Sequence, residues 1–136
     1  MQLSARLLTD VGSVNDFDFI TSIEAGVGDA FDVYLQLIDK QKHPASKGFN
    51  PGGLRYIPAA GATMSVRFDN LNAAKQFSRV ATQPFATDTS IWRCSVLSSD
   101  PLTGTISITI TLTEGAVIRS FHIPAAILVS GGPESC

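Results

Sequence analysis

Thr105-Ile106-Ser107-Ile108-Thr109-Ile110-Thr111-Leu112-Thr113 decides the fold. Isoleucine and leucine occupy every second position, and threonine or serine occupies the positions between them. A period of two places all the aliphatic side chains on one side of an extended chain and all the hydroxyls on the other. An antiparallel strand with one face in a core and one in water requires this pattern, and its β-branched residues suit a pleated surface. Glu114-Gly115 follows where a tight hairpin turn belongs, with glycine supplying positive φ. The return strand is predicted from Val117 to Ile123; Pro124 marks an edge, a bulge or an end. Ala125 to Val129 reads as a final strand or as its continuation.

Working outward, Ile91 to Leu97 is a strand with Trp92, Cys94 and Val96 on one side. Ala62 to Asp69 alternates with Ala62, Met64, Val66 and Phe68 on one face, and Phe31 to Asp39 does the same with Phe31, Val33, Leu35 and Leu37. Phe17 to Glu24 alternates roughly, and Gly26-Val27-Gly28-Asp29 is a turn. Between two of these strands, Leu71, Ala74, Phe77 and Ala81 fall at helical spacing. Asn70 stands where a cap is wanted, so a short helix is predicted over Leu71 to Ala81. Lys40 to Pro58 lacks regular pattern and holds several prolines and glycines, which predicts a long surface loop. The expected fold is mainly β: an antiparallel β-sandwich or small barrel of six or seven strands with one short helix. The expected organisation is an N-terminal arm over 1–15, a single β-domain over 16–130 and a C-terminal tail over 131–136.

Composition bears on partners. Only 16% of the 136 residues are charged, below the usual ~25%, so much of the surface must be neutral polar or apolar. Interface cores are depleted in charge in the same way. A net charge of −2 gives no basic stripe for nucleic acid. No apolar run approaches the ~20 residues of a membrane-spanning helix. The opening residues lack the layout of a secretory signal, which points to synthesis in a cytosol. Cys94 lies in a strand and reads as a small buried hydrophobe. Cys136 is a candidate for an intermolecular disulfide.

Residues suited to chemistry are sparse. A hydrolase base would have to be His43 or His122, and there is no G-x-S-x-G elbow beside either. Asp16 and Asp18 with Asn15 would form at most a weak Ca²⁺ site, since the spacing falls short of an EF-hand loop. The glycine clusters lack the order of a phosphate loop. No catalytic residue, cofactor or metal is predicted. Trp92, Tyr34 and Tyr56 are the aromatics suited to stacking on sugars, and they motivate an alternative as a carbohydrate-binding or host-recognition module.

Two stretches together resemble virion structural proteins of tailed bacteriophages: Gly53 to Thr63, and Pro84 to Trp92 continuing through Leu97–Asp100 and Gly104–Ile106 to Leu112-Thr113-Glu114-Gly115. The resemblance spans roughly Phe31 to Val129 and is one of phrasing rather than of a catalytic signature. It implies a non-enzymatic β-sandwich on a head (as capsid decoration), neck, tail or baseplate, present in many copies. The expected partners are then other virion proteins and copies of itself, without nucleic acid or membrane, and the expected location is the virion, after synthesis in the host cytoplasm. The candidate contact residues are Phe49, Leu54, Arg55 and Tyr56 of the loop, with Leu3 and Leu7 of the arm.

Overall fold

The computed structural model describes residues 3–8, 19–39, 54–70, 75–100 and 102–130. They form ten strands: β1 (Leu3–Leu8), β2 (Phe19–Ile20), β3 (Ile23–Gly26), β4 (Phe31–Asp39), β5 (Leu54–Arg55), β6 (Thr63–Asn70), β7 (Lys75–Ala81), β8 (Ile91–Val96), β9 (Gly104–Glu114) and β10 (Val117–Ser130). The first sheet runs β2-β1-β4-β5, with β8 also paired to β4; the second runs β3-β10-β9-β6-β7. Every pairing is antiparallel except β3 with the end of β10. The sheets face each other across one core and are joined at a corner by a bridge between Thr82 and Arg93. This is the mainly β, sandwich-like or small-barrel architecture that the alternation predicts.

β9 lies at the centre of the second sheet, and Ile106, Ile108, Ile110 and Leu112 are all fully enclosed. Facing them are Leu7 from β1, Val33, Leu35 and Leu37 from β4, and Trp92, Cys94 and Val96 from β8. The hairpin forms as expected: Glu114 pairs with Val117 across Gly115-Ala116, and Gly115 takes φ +59°. Positive φ at the first turn residue alone matches the twist of a type II′ turn. β10 then runs to Ser130 with its register broken between Ile123 and Ile127. Pro124 has no N–H to give the ladder, and Ala125 adopts φ +51°, so the extra residues bulge out before pairing resumes.

β4 is buried on both faces, whereas its alternation predicts one. β1 covers one of its edges while β8 and β5 cover the other. Its outer side chain Tyr34 packs with Leu8, Ile91 and Phe85. The segment before β8 is clamped onto this face by polar groups. Asp88 accepts from Ser90 N–H at 3.1 Å, from the Ser90 hydroxyl, and from Arg55 at 2.8 Å. Ser90 Oγ in turn accepts from Gln36 Nε2 at 3.1 Å.

Two expectations are corrected. The helix predicted over Leu71 to Ala81 is a strand where it is described: Lys75 to Ala81 pairs with β6 from Asn70 down to Met64. Residues 71–74 lie outside the described residues. The helical stripe contains two large side chains, Leu71 and Phe77, and its other two members are alanines. As a strand, the segment stacks Phe77 on Phe68 at 4.8 Å between ring centroids and gains a full set of cross-strand pairs. Each such pair contributes ~0.2–1 kcal/mol, which outweighs a narrow apolar stripe. Asn70, the proposed cap, ends β6 and donates from Nδ2 to Thr103 Oγ1 at 3.1 Å. The second correction concerns the arm, whose residues Leu3 to Leu8 pair with β4 of the same chain. Leu7 is 1% exposed and packs into the core of its own chain, with only the edge of its side chain reaching the surface.

Phe68 is enclosed by the core and carries the Phe77 stack. Phe68→Ala is expected to lower unfolding free energy by about 3–5 kcal/mol in urea titration. A loss under about 1 kcal/mol would contradict this packing.

Candidate contact surface

The outer face of the second sheet is built from the side chains that alternate away from the core. Its register aligns Val80, Ser65, Thr111 and Ser120 in one row across four strands, and Ser78, Arg67, Thr109 and His122 in the next. Thr63, Thr113 and Ile118 extend it on the hairpin side. Hydroxyls fill the middle, while aliphatic side chains stand at both margins: Val80 is 74% exposed on β7 and Ile118 67% on β10. Charge on this face is small. Arg67 is paired with Asp69 at 3.2 Å, and His122 Nδ1 lies 3.3 Å from Thr109 Oγ1.

One margin of the face is an open edge. β9 pairs with one side of β10 along its length, while β3 covers the other side only from Ile127 to Ser130. Among the described residues no strand covers that side from Val117 to Ile123. Beside it, Ala5, Leu7, Ile20, Ile123 and Pro124, with Arg6 and Thr21, line an open groove of about 440 Å³ between β1 and β10.

The hairpin end is anchored from below. Tyr56 N–H donates to Leu37 C=O at 2.9 Å, which points its ring toward the core and its hydroxyl at Glu114, 2.9 and 2.7 Å from the two carboxylate oxygens. Ala59 N–H donates to Glu114 Oε2 at 3.0 Å, and Arg119 Nε stands 3.6 Å from Oε1. Burial pushes the Glu114 carboxyl upward, but Ala59 N–H, the Tyr56 hydroxyl and the Arg119 charge outweigh it and hold the group below its ordinary value. The hydrogen bond to Glu114, then burial and the negative carboxylate, raise the Tyr56 hydroxyl above its own.

The residues expected to make contacts therefore divide. Tyr56 is turned to Glu114, Arg55 reaches Asp88, and Leu7 is enclosed. Leu3 is half-buried at the start of β1, and the backbone of Leu54 pairs with Asp39. Phe49 and Cys136 lie outside the described residues, as do His43, Asn15, Asp16 and Asp18. Val80, Ile118 and the hydroxyl rows were not among the expected contacts. The Thr105 to Thr113 alternation already carried the signal for the rows, while Val80 was concealed by the helical reading of its segment.

The aromatics considered for sugar stacking are committed elsewhere: Trp92 is 2% and Tyr34 6% exposed, and Tyr56 holds Glu114. Cys94 is 3% exposed, and burial pushes its thiol up to about 12, so it stays protonated and packs as an apolar group. Among the described residues no group of three or more His, Cys, Asp or Glu side chains is placed to hold a metal ion, and no helix is long and apolar enough to cross a membrane. Compared with known proteins, the chain matches no family model and shows no significant similarity to a curated sequence.

The anchor gives stability a definite pH dependence. The lowered Glu114 contributes stability that is complete above the unfolded carboxyl value of ~4.3 and is lost as pH falls through the folded value below it. The raised Tyr56 contributes below ~10 and loses its share as pH rises through the higher folded value. Tyr56→Phe is expected to cost about 1 kcal/mol, constant between pH 6 and 9 and shrinking at both extremes. Denaturation midpoints across pH check this, and a difference that grows toward acid would refute it.

Proposed function

We propose that this chain is a non-enzymatic structural protein that packs against other protein chains in a symmetric assembly, in the form of a virion component of a tailed bacteriophage. Capsid decoration, neck, tail and baseplate positions all fit that role. The observation that carries the reading is the outer face of the second sheet: wide, poor in charge, filled with hydroxyls and rimmed by Val80 and Ile118. A neutral face of this kind can be covered by another chain without leaving a charge unpaired. Short hydroxyl side chains also lose little conformational entropy when they are covered. In an assembly of many copies each contact needs only modest affinity, because multivalency raises the effective concentration. The resemblance to phage virion proteins of Gly53 to Thr63, and of Pro84 to Trp92 with Leu97–Asp100 and Gly104–Ile106 up to Leu112–Gly115, supports the specific setting. Its location is then the virion, after synthesis in the host cytoplasm.

Co-sedimentation with virion particles lacking the protein tests this. The wild type is expected to pellet with them. Val80→Asp combined with Thr111→Lys, both on the outer face, is expected to reduce binding at least about tenfold with an unchanged circular dichroism spectrum. Wild-type protein that stays in the supernatant would refute the proposal.

A further inference from the structure

The open edge of β10 has a definite hydrogen-bonding phase. Glu114 and Val117 close a two-residue hairpin, and such a closing pair exchanges both of its hydrogen bonds. Backbone groups at Val117, Arg119, Phe121 and Ile123 therefore point toward β9, whereas those of Ile118, Ser120 and His122 point away from it. Pro124, next in phase, has no N–H, and three residues further on β3 takes over the edge at Ile127. The run thus offers three outward N–H and three outward C=O groups, centred on Ser120 and bounded at both ends. Unpaired edges of this kind recruit strands, and natural chains usually blunt them with lysines or charged side chains that point inward. Here the one formally charged side chain between Val117 and Ile123 is Arg119, already beside Glu114.

We infer that this edge pairs with the same edge of a second copy, antiparallel, with Ser120 on the two-fold axis. The inference rests on the packing role proposed above and names one of its contacts. The sequence of the run favours its own copy as the occupant. With Ser120 opposite Ser120, Ile118 meets the partner's His122 and Arg119 meets the partner's Phe121. No charge then faces a like charge, and a guanidinium lies beside an aromatic ring. All six outward groups on each copy find partners, giving six backbone hydrogen bonds. Val117, 48% exposed, falls opposite the partner's Ile123 on the inner face, where the groove of about 440 Å³ lies open. The two-residue turn ends the incoming strand before it can collide with β3. Each copy thus supplies both the strand and the groove that receives it, and the second sheets of the two copies become one continuous sheet. One strand pair of seven residues from each copy is a small contact, so association is expected to be weak and to be reinforced in an assembly.

Analytical ultracentrifugation of the full chain tests it, using Ser120→Lys and Ser120→Glu. Ser120 is exposed and its side chain leaves the core, so both variants should fold as the wild type does. Two like charges across the axis are expected to weaken self-association at least about tenfold in each variant alone. Mixing the two in equal amounts should restore the dimer. Val117→Lys, which puts a cation beside the partner's Arg6 in the groove without touching the axis, should weaken it as well. A wild type that remains monomeric at every concentration overturns the pairing, and so does a dimer indifferent to both charge variants. If that monomer still pellets with virion particles, the packing role stands and the edge pairing alone is overturned.

Discussion

β9 is paired along its length on both edges, to β10 and to β6, and its aliphatic side chains are fully enclosed. A strand held in this way has no freedom of register. A slip of one residue would turn four aliphatic side chains into water and bury the intervening hydroxyls, at roughly 1.5–3 kcal/mol for each aliphatic side chain exposed. The second sheet therefore grows outward from this strand with its alternation preserved, which is why hydroxyls from three neighbouring strands fall into straight rows on the outer face. The surface proposed for contact follows from the same constraint that builds the core.

The first sheet obeys a different rule. β4 is covered on both faces, and its outer face is closed by a loop rather than by another sheet. Such a loop brings backbone and polar side chains into low dielectric, where each unsatisfied group costs about 1–3 kcal/mol. The chain Gln36–Ser90–Asp88–Arg55 satisfies these groups in sequence, with Arg55 carrying the far end out to solvent. The Glu114 anchor plays a comparable part at the hairpin, where Tyr56 and Ala59 tie the connection before β6 to the turn between β9 and β10. Residues that read as contact candidates in a glycine-rich loop, Arg55 and Tyr56, thus take part in internal clamps. The Tyr56 hydroxyl is committed to Glu114, whereas Arg55 holds Asp88 while most of its side chain stays in water.

The two sheets also differ in how their edges end. Pro124 and the following bulge terminate the open run of β10, and β3 seals what lies beyond by the one parallel pairing among the described residues. A short run with few charges at the margin of a charge-poor face is a combination suited to association between copies, because backbone pairing and side-chain burial then act on the same partner.

The amino-acid sequence by itself determined β4, β6, β8, β9 and the β9–β10 hairpin, because in each of them side-chain polarity alternates with period two and a turn residue with a stereochemical reason follows. It also determined the interruption at Pro124, where a missing N–H is a property of the residue rather than of its surroundings. It did not determine β7, whose spacing of Phe77 and Ala81 suits a helix locally; the stacking of Phe77 on Phe68 and the free edge of β6 decided the matter, and both belong to residues distant along the chain or to pairing that only the assembled sheet offers. Nor did it reveal that Leu7 is enclosed, or that Arg55 and Tyr56 pair with Asp88 and Glu114. Those outcomes depend on which carboxylate comes within hydrogen-bond reach, and that distance exists only once the two sheets have packed.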